Sequence, residues 1–283
     1  MTKITDLKGY CYPLTPAGRS SLVGNPPWHY ATEYTVIAYR ADPKEVARWL
    51  PEPLQPGPEP DMCYAAFSRW WSVWESGGDM PSINPGRTQY REAAIWAGCS
   101  YLGVPGQICL PIWVSADFSM ARGWFMGFPK KLGEIMITEY NALNPAMREV
   151  GVGSRLTGTC SSHGEMLLKG SVLIQRTVDR SELPAPLGRP LFHIRHFPSI
   201  VRQAVPSVLE LVSLGSENWN WDPVVWRGEG QLQFLPSDIE EHMSLKPIEI
   251  VGGYRFSNGY TFSGGEVLHD WRQELLDAEM PSR

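Results

Sequence analysis

The 283-residue chain reads as a β-rich α+β protein of many antiparallel strands and a few short helices. Three observations lead there. Runs rich in Val, Ile, Thr and aromatic residues recur along most of the chain, punctuated by Gly, Pro, Asn and Asp. Apolar residues at helical spacing are confined to short windows. No internal repeat appears, and no linker separates regions of different composition. The strands therefore belong to one domain, residues 31–265, between an irregular N-terminal segment (1–30) and a helical C-terminal tail (266–283).

Residues 1–30 are rich in Pro, Gly and Ser, which favour irregular structure. Tyr34-Thr35-Val36-Ile37-Ala38-Tyr39-Arg40 is β-branched and aromatic and reads as a strand. Asp42-Pro43-Lys44-Glu45 then gives an N-cap, a proline at the first helical position and an acid at the third. That helix is short, because Pro51 disfavours the helical region for its predecessor. Pro51-Glu52-Pro53-Leu54-Gln55-Pro56-Gly57-Pro58 is a stiff connector. Strand-like runs follow at 62–74, 92–102, 107–115, 133–140, 148–160 and 165–178. After a loop at 179–190 come 191–197, 207–214, 224–235 and 246–262. Within the last, Asn258-Gly259 between two aromatic triplets predicts a two-residue hairpin. Helical spacing is found only at 43–50, 117–123 and 268–278.

Composition narrows the function. Net charge is −5 with no basic block, which argues against nucleic acid as a partner. No apolar run approaches the ~20 residues that span a bilayer, and the N-terminus lacks a signal-peptide apolar region. Cys11, Cys63, Cys99, Cys109 and Cys160 are odd in number and scattered, so they read as reduced thiols of a cytoplasmic protein. Twelve tryptophans, clustered at Trp70, Trp71 and Trp74 and at Trp219, Trp221 and Trp226, fill a core or line a wide aromatic pocket. Several signatures are missing. Gly151-Val152-Gly153 lacks the third glycine of a dinucleotide loop, since Leu156 stands there, and no phosphate loop or Gly-x-Ser-x-Gly elbow occurs. Cys160 and His163 have no second ligand pair, so no metal is expected. His193 and His196 would face opposite sides of a strand.

The most telling run is Gly127-Phe128-Pro129-Lys130-Lys131-Leu132-Gly133, with Trp124-Phe125-Met126 before it and Ile135-Met136-Ile137 after. A lysine held among aromatic side chains tends to lose its proton, and a neutral amine attacks carbonyl carbon. The alternative is a solvated surface turn. On a strand, Lys130 and Lys131 would point to opposite faces, so desolvation by Phe128, Met126 and the tryptophans would have to activate Lys130.

Phe128-Pro129-Lys130-Lys131-Leu132-Gly133 resembles the signature of the acetoacetate decarboxylase superfamily. Further segments fit in order: Glu33 through Arg40, Pro51-Glu52-Pro53-Leu54, Tyr90-Arg91-Glu92-Ala93, Arg189 through Pro198, and Pro247 through Val251. The likeness covers most of residues 30–255, with an insertion near 70–88 and a longer C-terminal tail. It implies a cone-shaped β-barrel with a flanking antiparallel sheet, in a homo-oligomer. It implies a Schiff-base lyase acting on a keto acid or ketone, without a cofactor beyond the covalent imine on Lys130. Activation of the lysine by desolvation or a cationic neighbour is a property known of that family.

On the resemblance, Glu92 is the acid/base and Lys131 the second lysine of the catalytic run, with Phe128, Trp124, Arg91 and Thr32 placed around the substrate. Three departures bear on substrate. Thr32 stands where the decarboxylases carry an arginine for the substrate carboxylate, Ala65 or Ala66 where they carry a second acid, and Arg122-Gly123-Trp124 where they have Gly-Arg-Glu. Losing a cation and gaining an indole favours a larger or less polar carbonyl compound. Decarboxylation of a β-keto acid and aldolase-dehydratase chemistry on a 2-oxo acid such as pyruvate both remain open. So does a non-covalent binding or cyclisation scaffold that keeps the pocket without the imine. Arg87, Arg91 and Arg122 are the candidates to replace the missing arginine.

Overall fold

The computed structural model describes residues 3–147, 149–184, 189–202 and 204–279. β1 (Trp28–Arg40) leads into α1 (Pro43–Arg48), where the Asp42 carboxylate accepts from the Lys44 N–H at 2.9 Å and Pro43 opens the first turn. Next come β2 (Gln55–Pro56), β3 (Met62–Trp74), α2 (Met80–Ile83), β4 (Gln89–Tyr101) and β5 (Val104–Val114). α3 (Asp117–Met126) precedes β6 (Lys130–Leu132), β7 (Glu134–Ile137), β8 (Arg155–Ser162) and β9 (Glu165–Val178). The chain continues through β10 (Leu191–Phe197), β11 (Val208–Leu214), β12 (Glu217–Trp221) and β13 (Val225–Phe234). It closes with β14 (Glu249–Phe262), β15 (Gly265–Asp270) and α4 (Trp271–Glu279).

These strands form one mixed sheet in the order β15-β11-β10-β5-β4-β3-β1-β14-β13-β9-β8-β7, with β12 on β14, β2 on β4 and β6 on β5. The sheet curls back on itself, so that β8 and β9 lie against β3. Gly158 and Gly170 permit that approach: a Cβ at Gly158 would stand 2.2 Å from Phe67 Cγ, and one at Gly170 2.7 Å from Phe67 Cε2. Inside the curl, Ile37, Tyr39, Phe67, Ile95, Leu167 and Val172 are buried in one cluster.

The same strands are buried on both faces. Ile37 and Tyr39 of β1 point into the curl, while Tyr30, Tyr34 and Val36 point the other way, into a second chamber. This double burial explains why β1, β3 and β4 read as continuous apolar runs.

Most predicted strands stand where expected, including 62–74, 165–178 and 191–197. Asn258-Gly259 does not turn the chain. β14 runs through it, pairing Thr32 with Asn258 and Ala31 with Gly259. Glycine is used there for close approach, since a Cβ would lie 2.9 Å from the Tyr30 carbonyl oxygen. The run 133–140 shortens to β7, Glu134–Ile137, and Gly133, where a Cβ would lie 2.9 Å from Trp113 Cβ, separates it from β6. Residues 266–270, expected within a helical tail, belong to β15, which pairs with β11 before α4 begins. Part of the loop predicted at 179–190 and one residue of the run at 148–160 lie outside the described residues. No helix among the described residues is long and apolar enough to cross a membrane.

Gly158→Ala is expected to force Phe67 out of its position and to lower unfolding free energy by about 1–3 kcal/mol, read from the urea midpoint.

Candidate active site

The lysine run is placed by a helix end. α3 stops at Gly127, whose φ of +88° is the left-handed conformation that glycine adopts without strain. The Phe128 N–H donates back to the Gly123 carbonyl at 2.9 Å, and β6 then runs parallel to β5 with Lys130 opposite Ile112. The Trp124 indole N–H donates to the Lys130 carbonyl at 2.8 Å and fixes the backbone there. Gly123 leaves the space that the Lys130 stem fills, since a Cβ on it would lie 2.3 Å from Lys130 Cδ.

The two lysines diverge. Lys131 points to the outer face and pairs with Glu240. Lys130 points inward, and its side chain is only 6% exposed. Its Nζ donates to Glu92 Oε2 at 3.0 Å and to Ser119 Oγ at 3.2 Å, and stands 5.3 Å from the Tyr90 ring and 5.4 Å from the Phe128 ring. Glu92 is equally buried and lies on β4, two strands from β6. A charge-assisted pair at this depth is retained only where both partners are present.

Lys130 and Glu92 face a cavity of about 370 Å³. Its wall is largely aromatic, with Tyr30, Trp70, Tyr90 and Phe128 joined by Tyr34, Trp96, Trp219, Trp221, Phe256 and Tyr260. Strand register stacks these side chains in rows, with Trp70 beside Tyr90, Ser68 beside Glu92, and Tyr64 beside Trp96. Burial pushes the Tyr30 phenol up to about 12, and Arg122 pulls against that rise. Burial also raises Tyr34, Tyr90 and Tyr260. All four phenols therefore stay protonated at neutral pH and can donate hydrogen bonds.

Two buried groups support the wall from behind. Arg122, 3% exposed, sits over the rings of Tyr30 (4.9 Å), Phe118 (5.5 Å), Trp28 (5.6 Å) and Tyr90 (5.9 Å). It has no carboxylate partner among the described residues, so the ring faces offset its desolvation. His193 packs 4.1 Å from Phe128 and accepts the Cys109 N–H on Nε2 at 3.3 Å. Burial, with a smaller contribution from Lys130, lowers its pKa from 6.5 to about 3, so it is neutral.

Of the predicted site residues, the structure brings together Lys130, Glu92 and Phe128 in the cavity wall. Lys131 stands on the opposite face. Trp124 is 45% exposed and touches the site through the Lys130 backbone. Arg91 donates to Glu139 at 2.9 Å, outside the cavity wall. Thr32 is buried on β1 between Tyr30 and Tyr34. Ser119, Tyr90 and Tyr260 were not anticipated. Tyr90 was within reach, because it lies two residues from Glu92 and so shares its face. Ser119 carried no signal, and Tyr260 was hidden by the hairpin reading. No cluster of His, Cys, Asp and Glu among the described residues could hold a metal ion.

The chain is similar to known proteins in sequence and fold. The family model for acetoacetate decarboxylase (ADC) matches residues 11–271. An acetoacetate decarboxylase of Chromobacterium violaceum is 27% identical, over 86% of this chain and 88% of its own. The enduracididine biosynthesis enzyme MppR, solved in complex with pyruvate, superposes with a TM-score of 0.85 at 33% identity, covering 94% of this chain and 99% of its own. An acetoacetate decarboxylase-like enzyme from Sphingomonas wittichii RW1 has the same TM-score at 26% identity, covering 93% and 99%.

His193 gives a stability signature. Its folded pKa is depressed, so its contribution is full above pH 6.5 and is lost as pH falls from 6.5 toward about 3. The slope is about 1.4 kcal/mol per pH unit. Urea unfolding at pH 7 and pH 4.5 should show a smaller acid loss for His193→Gln than for the native protein. Gly123→Ala should displace the Lys130 stem while preserving the far-UV circular dichroism spectrum, seen as slower modification of Lys130 by a carbonyl reagent.

Proposed function

This chain belongs to the acetoacetate decarboxylase family, and from that premise we propose that it is a lyase that forms an imine between Lys130 and a 2-oxo acid such as pyruvate, then condenses it with an aldehyde and dehydrates the product. The observation that carries the reading is the Lys130–Glu92 pair at 3.0 Å, buried in the wall of a large aromatic cavity. The second support is the likeness to MppR, a protein solved with pyruvate and with the condensation product of pyruvate and imidazole 4-carboxaldehyde. The cavity volume of about 370 Å³ is in the range that holds drug-sized ligands, about 300–1,000 Å³, and exceeds what a three-carbon acid fills.

The chemistry follows from the pair. Lys130 Nζ passes a proton to Glu92, and its freed lone pair attacks the ketone carbon. The carbinolamine loses water to give an iminium. Glu92, once it has returned its proton to that leaving water, takes one from the methyl carbon next to the iminium, and an enamine forms. The enamine carbon attacks the aldehyde, and a phenol such as Tyr90 or Tyr260 protonates the new alkoxide. The phenolate takes the second α-proton, Glu92 gives its proton to the hydroxyl, which leaves as water, and hydrolysis of the unsaturated imine releases the product and restores Lys130. Decarboxylation would need a β-keto acid, whose carbon–carboxylate bond breaks in place of the carbon–hydrogen bond. The hydrogen-bonded state of Nζ supports a second reading: an ammonium held by Glu92 and Ser119 throughout would make the chamber a non-covalent binding site.

Trapping separates these readings. Incubation with pyruvate, acetoacetate or acetopyruvate, reduction with borohydride and peptide mapping should place an adduct on Lys130. Lys130→Arg should abolish it, because guanidinium stays protonated. Lys131→Ala should leave it, because that side chain faces away. Glu92→Gln should reduce turnover by about 10²–10⁴-fold. Carbon dioxide release without aldehyde consumption would favour decarboxylation, and no adduct with any ketone would favour the binding site.

A further inference from the structure

The arginine that family decarboxylases place near residue 32 is missing, and the structure shows which guanidinium is free to take an anion. Arg91 is engaged by Glu139. Arg87 donates to the Ser21 carbonyl at 3.3 Å. Arg122 lies behind Tyr30 and Tyr90 and does not reach the cavity surface. Among the described residues, Arg189 is the one arginine in the cavity wall, and it has no carboxylate partner.

Its position is built. The Arg189 carbonyl accepts from Gln107 Nε2 at 3.4 Å, and the Pro190 carbonyl accepts from the Gln107 N–H at 2.9 Å. Leu191 pairs in parallel with Gln107, so the arginine is anchored where β10 joins β5. Gln107 is itself buried and lines the same end of the cavity. The guanidinium is close enough to Tyr64 to pull against the rise that burial gives that phenol.

Arg189 is remote from the reacting amine. Its backbone is anchored beside Gln107, which pairs with Gly98, six residues along β4 from Glu92, so the two backbones stand about 20 Å apart along the strand. A 2-oxo acid bound as an imine on Lys130 carries its own carboxylate next to the imine carbon and cannot span that distance. Between the two ends the wall is aromatic, with Tyr34, Trp96 and Phe128.

Resting on the imine reading above, we infer that Arg189 is a specificity-determining residue that binds an anionic group at the far end of the aldehyde acceptor. The acceptor is then a flat molecule with an aldehyde at one end and a carboxylate at the other.

The test compares condensation of pyruvate with 4-carboxybenzaldehyde and with its neutral isostere, 4-carbamoylbenzaldehyde. The native protein should prefer the carboxylate by about 10- to 100-fold in kcat/KM, as for hydrogen bonds to a charged group. Arg189→Ala should bring that ratio close to one, mainly by raising KM for the carboxylate, and Arg189→Lys should restore part of it. No charge preference in the native protein, or an equal loss for both aldehydes in Arg189→Ala, would overturn the assignment. Borohydride trapping of pyruvate on native Lys130 tests the imine reading separately. Should no adduct form, the two benzaldehydes are titrated against intrinsic tryptophan fluorescence. A charge preference that disappears in Arg189→Ala upholds the anion site, and equal affinities overturn it.

Discussion

Everything at the site depends on keeping one amine and one carboxylate together out of water. Desolvation of a buried pair is offset only when geometry is good and the remaining hydrogen-bonding positions are filled. Lys130 and Glu92 meet at 3.0 Å, and Ser119 Oγ accepts a further hydrogen bond from the amine. Removing either partner would leave an uncompensated buried charge, at a cost of about 3–5 kcal/mol. The surrounding architecture serves that requirement. The end of α3 aims β6, β5 carries it in parallel, and β4 presents Glu92 from two strands away. The aromatic wall excludes water on the remaining sides.

That wall is a by-product of strands buried on both faces. Alternate residues of β1, β3 and β4 fill the curled interior, and the others make the chamber. The chamber therefore inherits the regular spacing of the sheet. Residues two apart on a strand appear as successive steps along its length, from Tyr90 to Glu92 and on to Trp96. Chemistry and recognition can then occupy different rows of one surface, with the amine at one level and Arg189 at another.

Much of the fold was legible because β-branched and aromatic runs between turn residues are direct consequences of strand geometry. The opposite facing of Lys130 and Lys131 was legible from the same alternation, and that alternation also turns Arg91, expected beside the substrate, away from the face that Glu92 presents. Other features were not. Asn258-Gly259 carries strong turn chemistry, yet pairing on β1 and close approach to Tyr30 override it. β12 contains no β-branched residue and joins the sheet by docking on β14. Trp124 adjoins the lysine run but projects outward from the last turn of α3. Arg122 and Arg189 look alike in sequence, and only packing distinguishes the one sealed behind aromatic rings from the one in the cavity wall.

The contact between Gly123 and the Lys130 stem ties two positions together across a helix and a strand. A helix ordinarily gains from replacing an interior glycine, by about 1 kcal/mol for alanine. Here that gain is forbidden while a long side chain occupies position 130. Descendants of this lineage that abandon amine chemistry and shorten residue 130 would open a void, and close-packed interiors do not keep voids. A methyl or larger group arriving at position 123 would then mark, in sequence alone, a branch that has left the chemistry behind.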